Sequence, residues 1–164
     1  MRAVPLRRYV LFFAIAAIGC GADLATKSWI FAKLGSPNPP EANYWWIWDG
    51  VFGFQTSLNE GALFGIGQGQ VFLFTLLSCA ALVALLLWLF AAGAARDLLL
   101  TIALACVTAG ILGNLYDRLG MPGLTWLYAN ALHDAGDPVY AVRDWIVVMI
   151  GTWQWPNFNI ADSL

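Results

Sequence analysis

Apolar positions along this chain come in long unbroken runs, with little of the face-by-face periodicity of a soluble helix or of a half-buried strand. Val71 to Ala95 holds 25 consecutive residues without Asp, Glu, Lys, Arg or His, and Leu98 to Tyr116 holds 19 more. A bilayer core about 30 Å thick is crossed by roughly 20 apolar residues in helical form. Each run therefore predicts a membrane-spanning helix, over 71–94 and 98–116, and the charges at Arg96 and Asp97 between them leave room only for a tight connection.

An earlier run begins behind the basic residues Arg2, Arg7 and Arg8 and extends from Tyr9 to Ala22. Alone it reads as a removable signal segment with Ala17-Ile-Gly-Cys20 as its cut site. Apolar residues resume after Asp23 and Lys27 with Ser28-Trp-Ile-Phe-Ala32, so the expectation is a retained span over 9–31. Outside the spans lie two regions of another character, 33–69 and 118–162. The first opens on Gly35-Ser-Pro-Asn-Pro-Pro40, a loop, and continues with the aromatic cluster Asn43-Tyr-Trp-Trp-Ile-Trp48, of the kind found at a membrane surface. Val51 to Leu58 alternates partially and predicts a short strand or hairpin on the bilayer. In the second, Leu124, Leu127, Tyr128, Ala131 and Leu132 recur at helical spacing and predict a short interfacial helix.

Composition narrows the class. Hydrophobic residues make up 60% of the chain and charged residues 11%, against about 25% charged in an ordinary soluble domain. A soluble enzyme, a disordered chain and, at a net charge of −2, a nucleic-acid binder are excluded. The expectation is one mainly α integral-membrane domain over residues 1–164. Arg2, Arg7, Arg8 and Arg96 fall on one side of the spans, and Lys33, Arg118 and Arg143 on the other with most of the acids. The positive-inside tendency then puts the N-terminus in the cytoplasm and both connecting regions outside. Cys20, Cys79 and Cys106 have no framework or metal-ligand spacing and read as small buried hydrophobes. Gly65-x-Gly67-x-Gly69 reads as a flexible entry to the second span, and His133 as a surface residue.

Ionisable groups against a span are costly and point to function. Asp23 and Lys27, four apart, can pair on one helical face. Asn114, Asp117 and Arg118 share a face at the end of the third span, where Asn114 needs a hydrogen-bond partner across the bundle. Asp144 stands among apolar residues, and Asn159 and Asp162 lie three apart. Two carboxylates meeting at a bilayer boundary share one proton through low dielectric and mutual repulsion, which suits acid/base chemistry on a peptide bond. Solvated surface acids, a proton relay through Asp23, Lys27 and Asp117 in a small ion-coupled transporter, and a non-catalytic membrane scaffold remain alternatives.

Taken in order, Asp23-x-x-x-Lys27, Asn59-x-Gly61-Ala62-x-Phe64, Gly113-Asn114-x-x-Asp117-Arg118, Val142-x-Asp144-Trp145 and Phe158-Asn159-Ile160-Ala161-Asp162-Ser163 resemble the lipoprotein signal peptidase family, signal peptidase II of bacteria. The resemblance implies a multi-pass aspartic endopeptidase of the inner membrane, monomeric, working on its periplasmic side without metal or cofactor. Its partners would be membrane lipid and diacylglyceryl-modified prolipoproteins, cut before the lipid-bearing cysteine. It implies Asp144 and Asp162 as the catalytic pair. Asn59, Gly61, Asn114, Arg118 and Asn159 would bind substrate or support the pair, and Asp23, Lys27 and Asp117 would brace the site. It also implies four spans, the last following Asp162, and an outward β cradle over residues 43–68. The stretch between Arg118 and Asp144 is longer than is usual in the family and is expected to form a lid or flap.

Overall fold

The computed structural model describes residues 3–39, 43–62 and 66–164. Arg2, Phe64 and Gly65, which figure in the sequence reading, lie outside these residues. Among the described residues three helices are long and apolar enough to cross a membrane: Leu6–Leu34, Val71–Ala91 and Leu98–Arg118.

Helix α1 (Leu6–Leu34) follows Pro5 and stops at Gly35, whose φ of 79° lets its N–H turn back to the Phe31 carbonyl at 2.9 Å. Its length is roughly 43 Å at 1.5 Å per residue. It overruns both expected ends and carries Lys33 beyond the apolar stretch, where the Lys33 ammonium sits 3.3 Å from the centroid of the Trp45 ring. Helix α2 (Val71–Leu86) continues as a π-helical turn over Leu87–Ala91 and ends before Gly93, whose φ is 80°. Leu85 and Leu89 are its buried residues, an exposure that suits a helix facing lipid. Helix α3 (Leu98–Arg118) is capped by Asp97, which accepts from the Leu100 N–H at 3.0 Å.

The helix pairing is dominated by α1 against α3, through small residues. A Cβ at Gly19 would meet that of Ala109 at 2.8 Å, and one at Gly113 would collide with the Asp23 carboxylate. Small residues let helices approach in lipid, where no hydrophobic drive exists between them. Phe12, Leu85, Leu89, Ala95 and Ala105 form the buried cluster at the first end of the bundle. The cysteines are free; Cys79 is exposed on α2, and Cys20 and Cys106 are half-buried, which corrects the expectation that all three would be buried.

At the other end is a four-stranded antiparallel sheet in the order β1 (Tyr44–Trp48), β2 (Phe52–Asn59), β3 (Val142–Ile150), β4 (Trp153–Phe158). The short strand or hairpin expected over Val51 to Leu58 is β2, and the aromatic cluster before it supplies β1. The second hairpin is supplied by Val142–Ile150, a β-branched run, and the Gly151 turn. Pairing of Ser57 with Asp144 and of Asn59 with Val142 ties the regions before α2 and after α3 into one sheet. Ile30, Phe31 and Trp145 form the buried seam that joins it to the end of α1.

The interfacial helix expected over Leu124 to Leu132 does not form. Gly120, Gly123 and Gly136 have φ of 70°, 67° and 96°, and the chain doubles back so that Thr125 bridges to Pro138. This return buries Trp126, Val139 and Ala141 against Leu58. A helix would present Leu127 and Leu132 on one buried stripe, but both stay 53% exposed.

Candidate active site

Every site residue expected from the sequence converges on the junction of α1, α3 and the sheet. Register puts Asp144 on β3 directly across from Ser57, so it faces the end of β2. It is 2% exposed. The Asn59 amide donates to its Oδ2 at 3.2 Å and the Asn159 amide to its Oδ1 at 2.6 Å. Asn59 is itself aimed by the Gly61 N–H, which donates to its Oδ1 at 3.0 Å, and by the Gln68 amide at 3.3 Å.

Asp162 is exposed on the 3₁₀ turn Ala161–Ser163. Asn159 and Asp162 cap one another: the Asn159 N–H donates to Asp162 Oδ2 and the Asp162 N–H to Asn159 Oδ1, each at 3.1 Å. The Asn114 amide donates to Asp162 Oδ1 at 2.9 Å. Asn159 is fully buried and its Nδ2 also reaches Asn114 Oδ1 at 3.2 Å. One asparagine thus links the two carboxylates, and Asn114 has the partners across the bundle that its position demanded.

A cleft of 260 Å³ opens over these groups, lined among others by Asn59, Gly61, Asn114, Arg118, Asp144 and Asp162. Arg118 donates from Nη2 to the Gly61 carbonyl at 3.2 Å, while its Nε is buried without a partner. Among the described residues no three His, Cys, Asp or Glu side chains converge as metal ligands. Burial pushes the Asp144 carboxyl up to about 7; the charge of Asp162 adds to the rise, and the amides of Asn159 and Asn59 and the charge of Lys27 oppose it. The pair is asymmetric: one carboxyl buried and proton-retaining, the other open to water.

Behind the cleft, Asp23, Lys27 and Asp117 have no exposed surface. Lys27 Nζ lies 2.7 Å from Asp23 Oδ2 and 3.0 Å from Asp117 Oδ2, and donates to Asn114 Oδ1 at 2.9 Å. Asp23 Oδ1 accepts the Ala161 N–H at 3.0 Å and so fastens the turn that carries Asp162. Gly110 leaves space for that turn, since a Cβ there would strike the Ala161 carbonyl. Asp117 and Arg118, neighbours in sequence, do not pair: Asp117 turns inward and Arg118 faces the cleft.

Sequence reasoning overlooked Arg143, which is 4% exposed and pairs through Nε with Asp117 Oδ1 at 2.8 Å. The signal was there: on a strand, 143 faces away from 144, and a buried arginine requires a carboxylate. His133 is not the free surface residue expected. Its Nε2 lies 2.5 Å from Glu60 Oε1 and its ring stacks on Trp126 at 4.7 Å, which fastens the 119–141 loop beside the cleft. Asn157, also missed, lines the cleft.

The model of the family described as signal peptidase (SPase) II matches residues 15–164. The chain belongs to the signal peptidase II family. It is 45% identical to the lipoprotein signal peptidase of Rhodopirellula baltica, in an alignment covering 99% of this chain and 69% of that one. With the lipoprotein signal peptidase of Bacillus pumilus the identity is 29% over 94% of this chain and 84% of the relative. A solved bacterial membrane enzyme, determined by the in meso method at 2.3 Å resolution, superposes with a TM-score of 0.70 at 27% identity, covering 93% of this chain and 78% of that chain. With its membrane-length helices and bacterial relatives in this family, the chain is a bacterial membrane protein of the signal peptidase II type.

Proposed function

We propose that this protein is an intramembrane aspartic endopeptidase that cuts diacylglyceryl-modified prolipoproteins before the lipid-bearing cysteine, at the periplasmic face of the bacterial inner membrane. The observation that carries this reading is the pairing of buried Asp144 with exposed Asp162 through Asn159 on one cleft.

In this mechanism Asp144 starts protonated and Asp162 ionised. Asp162 takes a proton from a water whose oxygen bonds to the scissile carbonyl carbon, and Asp144 gives its proton to the carbonyl oxygen. On collapse the C–N bond breaks, Asp162 passes its proton to the leaving nitrogen, and a hydroxyl proton returns to Asp144. No acyl-enzyme forms, and the pair ends as it began. Asn59, Asn114 and Asn159 hold the carboxylates in register, and Gly61 and Arg118 line the path of the substrate backbone. Asp23, Lys27 and Asp117 brace the turn and helix that carry them. The lipid anchor on the substrate cysteine would hold the scissile bond at headgroup depth, supplying orientation that the cleft need not provide. A monomer suffices, because all of these residues come from one chain.

The relay reading is disfavoured by the state of its residues. Asp23, Lys27 and Asp117 already neutralise one another in full burial, with Arg143 completing the set. The decisive test is to give purified protein in detergent a diacylglyceryl-modified precursor and follow the shortened product. Asp144→Asn and Asp162→Asn each abolish it; full activity in Asp144→Asn would move the acid role to Asp117 and defeat this assignment.

A further inference from the structure

A second cavity, of 360 Å³, shares none of the cleft's lining residues. Its polar lining is Arg143 with the hydroxyl residues Ser28, Ser36 and Tyr116, and its apolar lining includes Phe31, Met121 and Pro122. Ser28 and Phe31 belong to the last turns of α1 and Tyr116 to the last turn of α3. The cavity therefore sits where the spans end, at the depth of lipid headgroups.

A guanidinium has five N–H donors and no acceptor, and in burial each donor needs an oxygen. The protein supplies few to Arg143. Nε is used on Asp117, Nη1 donates to Ser28 Oγ at a long 3.4 Å, and Nη2 is buried without a hydrogen-bond partner. Asp117 cannot fill the gap. Its Oδ1 already receives Nε, and its Oδ2 receives Lys27 and the Arg143 backbone N–H at 3.1 Å. Asp23 is held by Lys27 and the Ala161 N–H. A buried arginine with open donors thus borders a cavity that offers three hydroxyl residues and an apolar wall.

We propose that this cavity binds the phosphate of a phosphate-bearing amphiphile. The phosphate oxygens take the open donors of Arg143 and the hydroxyls of Ser28, Ser36 and Tyr116, and the glycerol or acyl part lies against Phe31 and Met121. Arginine suits this ligand because its planar fork matches two phosphate oxygens at once, and basic pockets between helix ends are a recurring way of holding headgroups. The same chemistry admits free phosphate. The site is independent of the proposed carboxylate pair and is read by binding, so its failure leaves that reading intact.

The test uses the full chain in a maltoside detergent, which contains no phosphate, with thermal unfolding followed by tryptophan fluorescence. Dihexanoyl phosphatidylglycerol, at ten times its half-saturating concentration, raises the unfolding temperature by about 3–5 °C. Dihexanoylglycerol, with the same acyl chains and no phosphate, does not. A matching rise with inorganic phosphate identifies free phosphate as the source, and a rise confined to the phospholipid identifies the headgroup. Arg143→Met abolishes the response. Because that change also releases Asp117, Ala32→Phe serves as the second variant: Ala32 lines the cavity from α1, and a phenyl ring there fills it with the pairs of Arg143 left in place. Equal stabilisation by dihexanoylglycerol, no stabilisation by either phosphate compound, or a full response in Ala32→Phe overturns the proposal.

Discussion

Two charged groups sit back to back at one end of the helix bundle, and their charges are satisfied in different ways. In the rear group, Asp23, Asp117, Lys27 and Arg143 meet opposite charges at 2.7–3.0 Å in full or near-full burial. In the front group, Asp144 and Asp162 receive the amides of Asn59, Asn114 and Asn159 and the Asn159 backbone N–H. An ion pair on each carboxylate makes it a structural anchor. The amides orient Asp144 and favour its ionised form, but burial and repulsion by Asp162 outweigh them and leave a proton on it. The two groups touch through Asn114, which accepts from Lys27 and donates to Asp162. The rear group aims the front one without neutralising it.

Mutation should separate these roles. Asp144→Asn and Asp162→Asn are isosteric and remove the pair's chemistry, so cleavage of the modified precursor falls by at least about 10³-fold with little change in unfolding temperature. Lys27→Met is the opposite case. It strands the buried Asp23 carboxylate, while Asp117 keeps Arg143, and costs about 3–5 kcal/mol, read as a large drop in resistance to thermal unfolding in detergent, with activity lost through misfolding. Gly113→Ala presses a methyl into the Asp23 carboxylate and should cost about 1–3 kcal/mol by overpacking; unfolding measurements would detect it. His133→Asn releases the 119–141 loop from Glu60 and from the stack on Trp126. Glu60 is buried and loses its partner, which should cost about 1–3 kcal/mol, seen as faster proteolysis of that loop and an otherwise stable core.

What could be read beforehand follows the same division. The spans were legible because lipid tolerates only long apolar helices with satisfied backbones. Asp23, Lys27, Asn114, Asp144 and Asp162 stood out because polar groups against apolar runs need a reason. Pairing across the chain was not legible: nothing local in Val142 to Ile150 states that it lies beside β2 or that Asn59 will face Asp144. The 119–141 loop misled because helical spacing of Leu124 to Leu132 competes with glycines that need positive φ, and burial of Trp126 and Val139 decided the outcome. Arg143 was visible as a charge but not as a partner, since Asp117 comes to it from α3.

The most direct test of the contrast is the pH profile of precursor cleavage. Asp144 holds its proton up to about 7, so kcat/KM should be sustained below that value and fall as pH rises through it. By the same sign, folding binds that proton more tightly than the unfolded chain does. The Asp144 contribution to stability is fully present at low pH and is lost as pH climbs through about 7. Asn59→Ala removes a donor that favours the ionised form, so it should move the falling limb of kcat/KM to higher pH. A profile flat through this range, or a limb that Asn59→Ala leaves in place, would contradict the account.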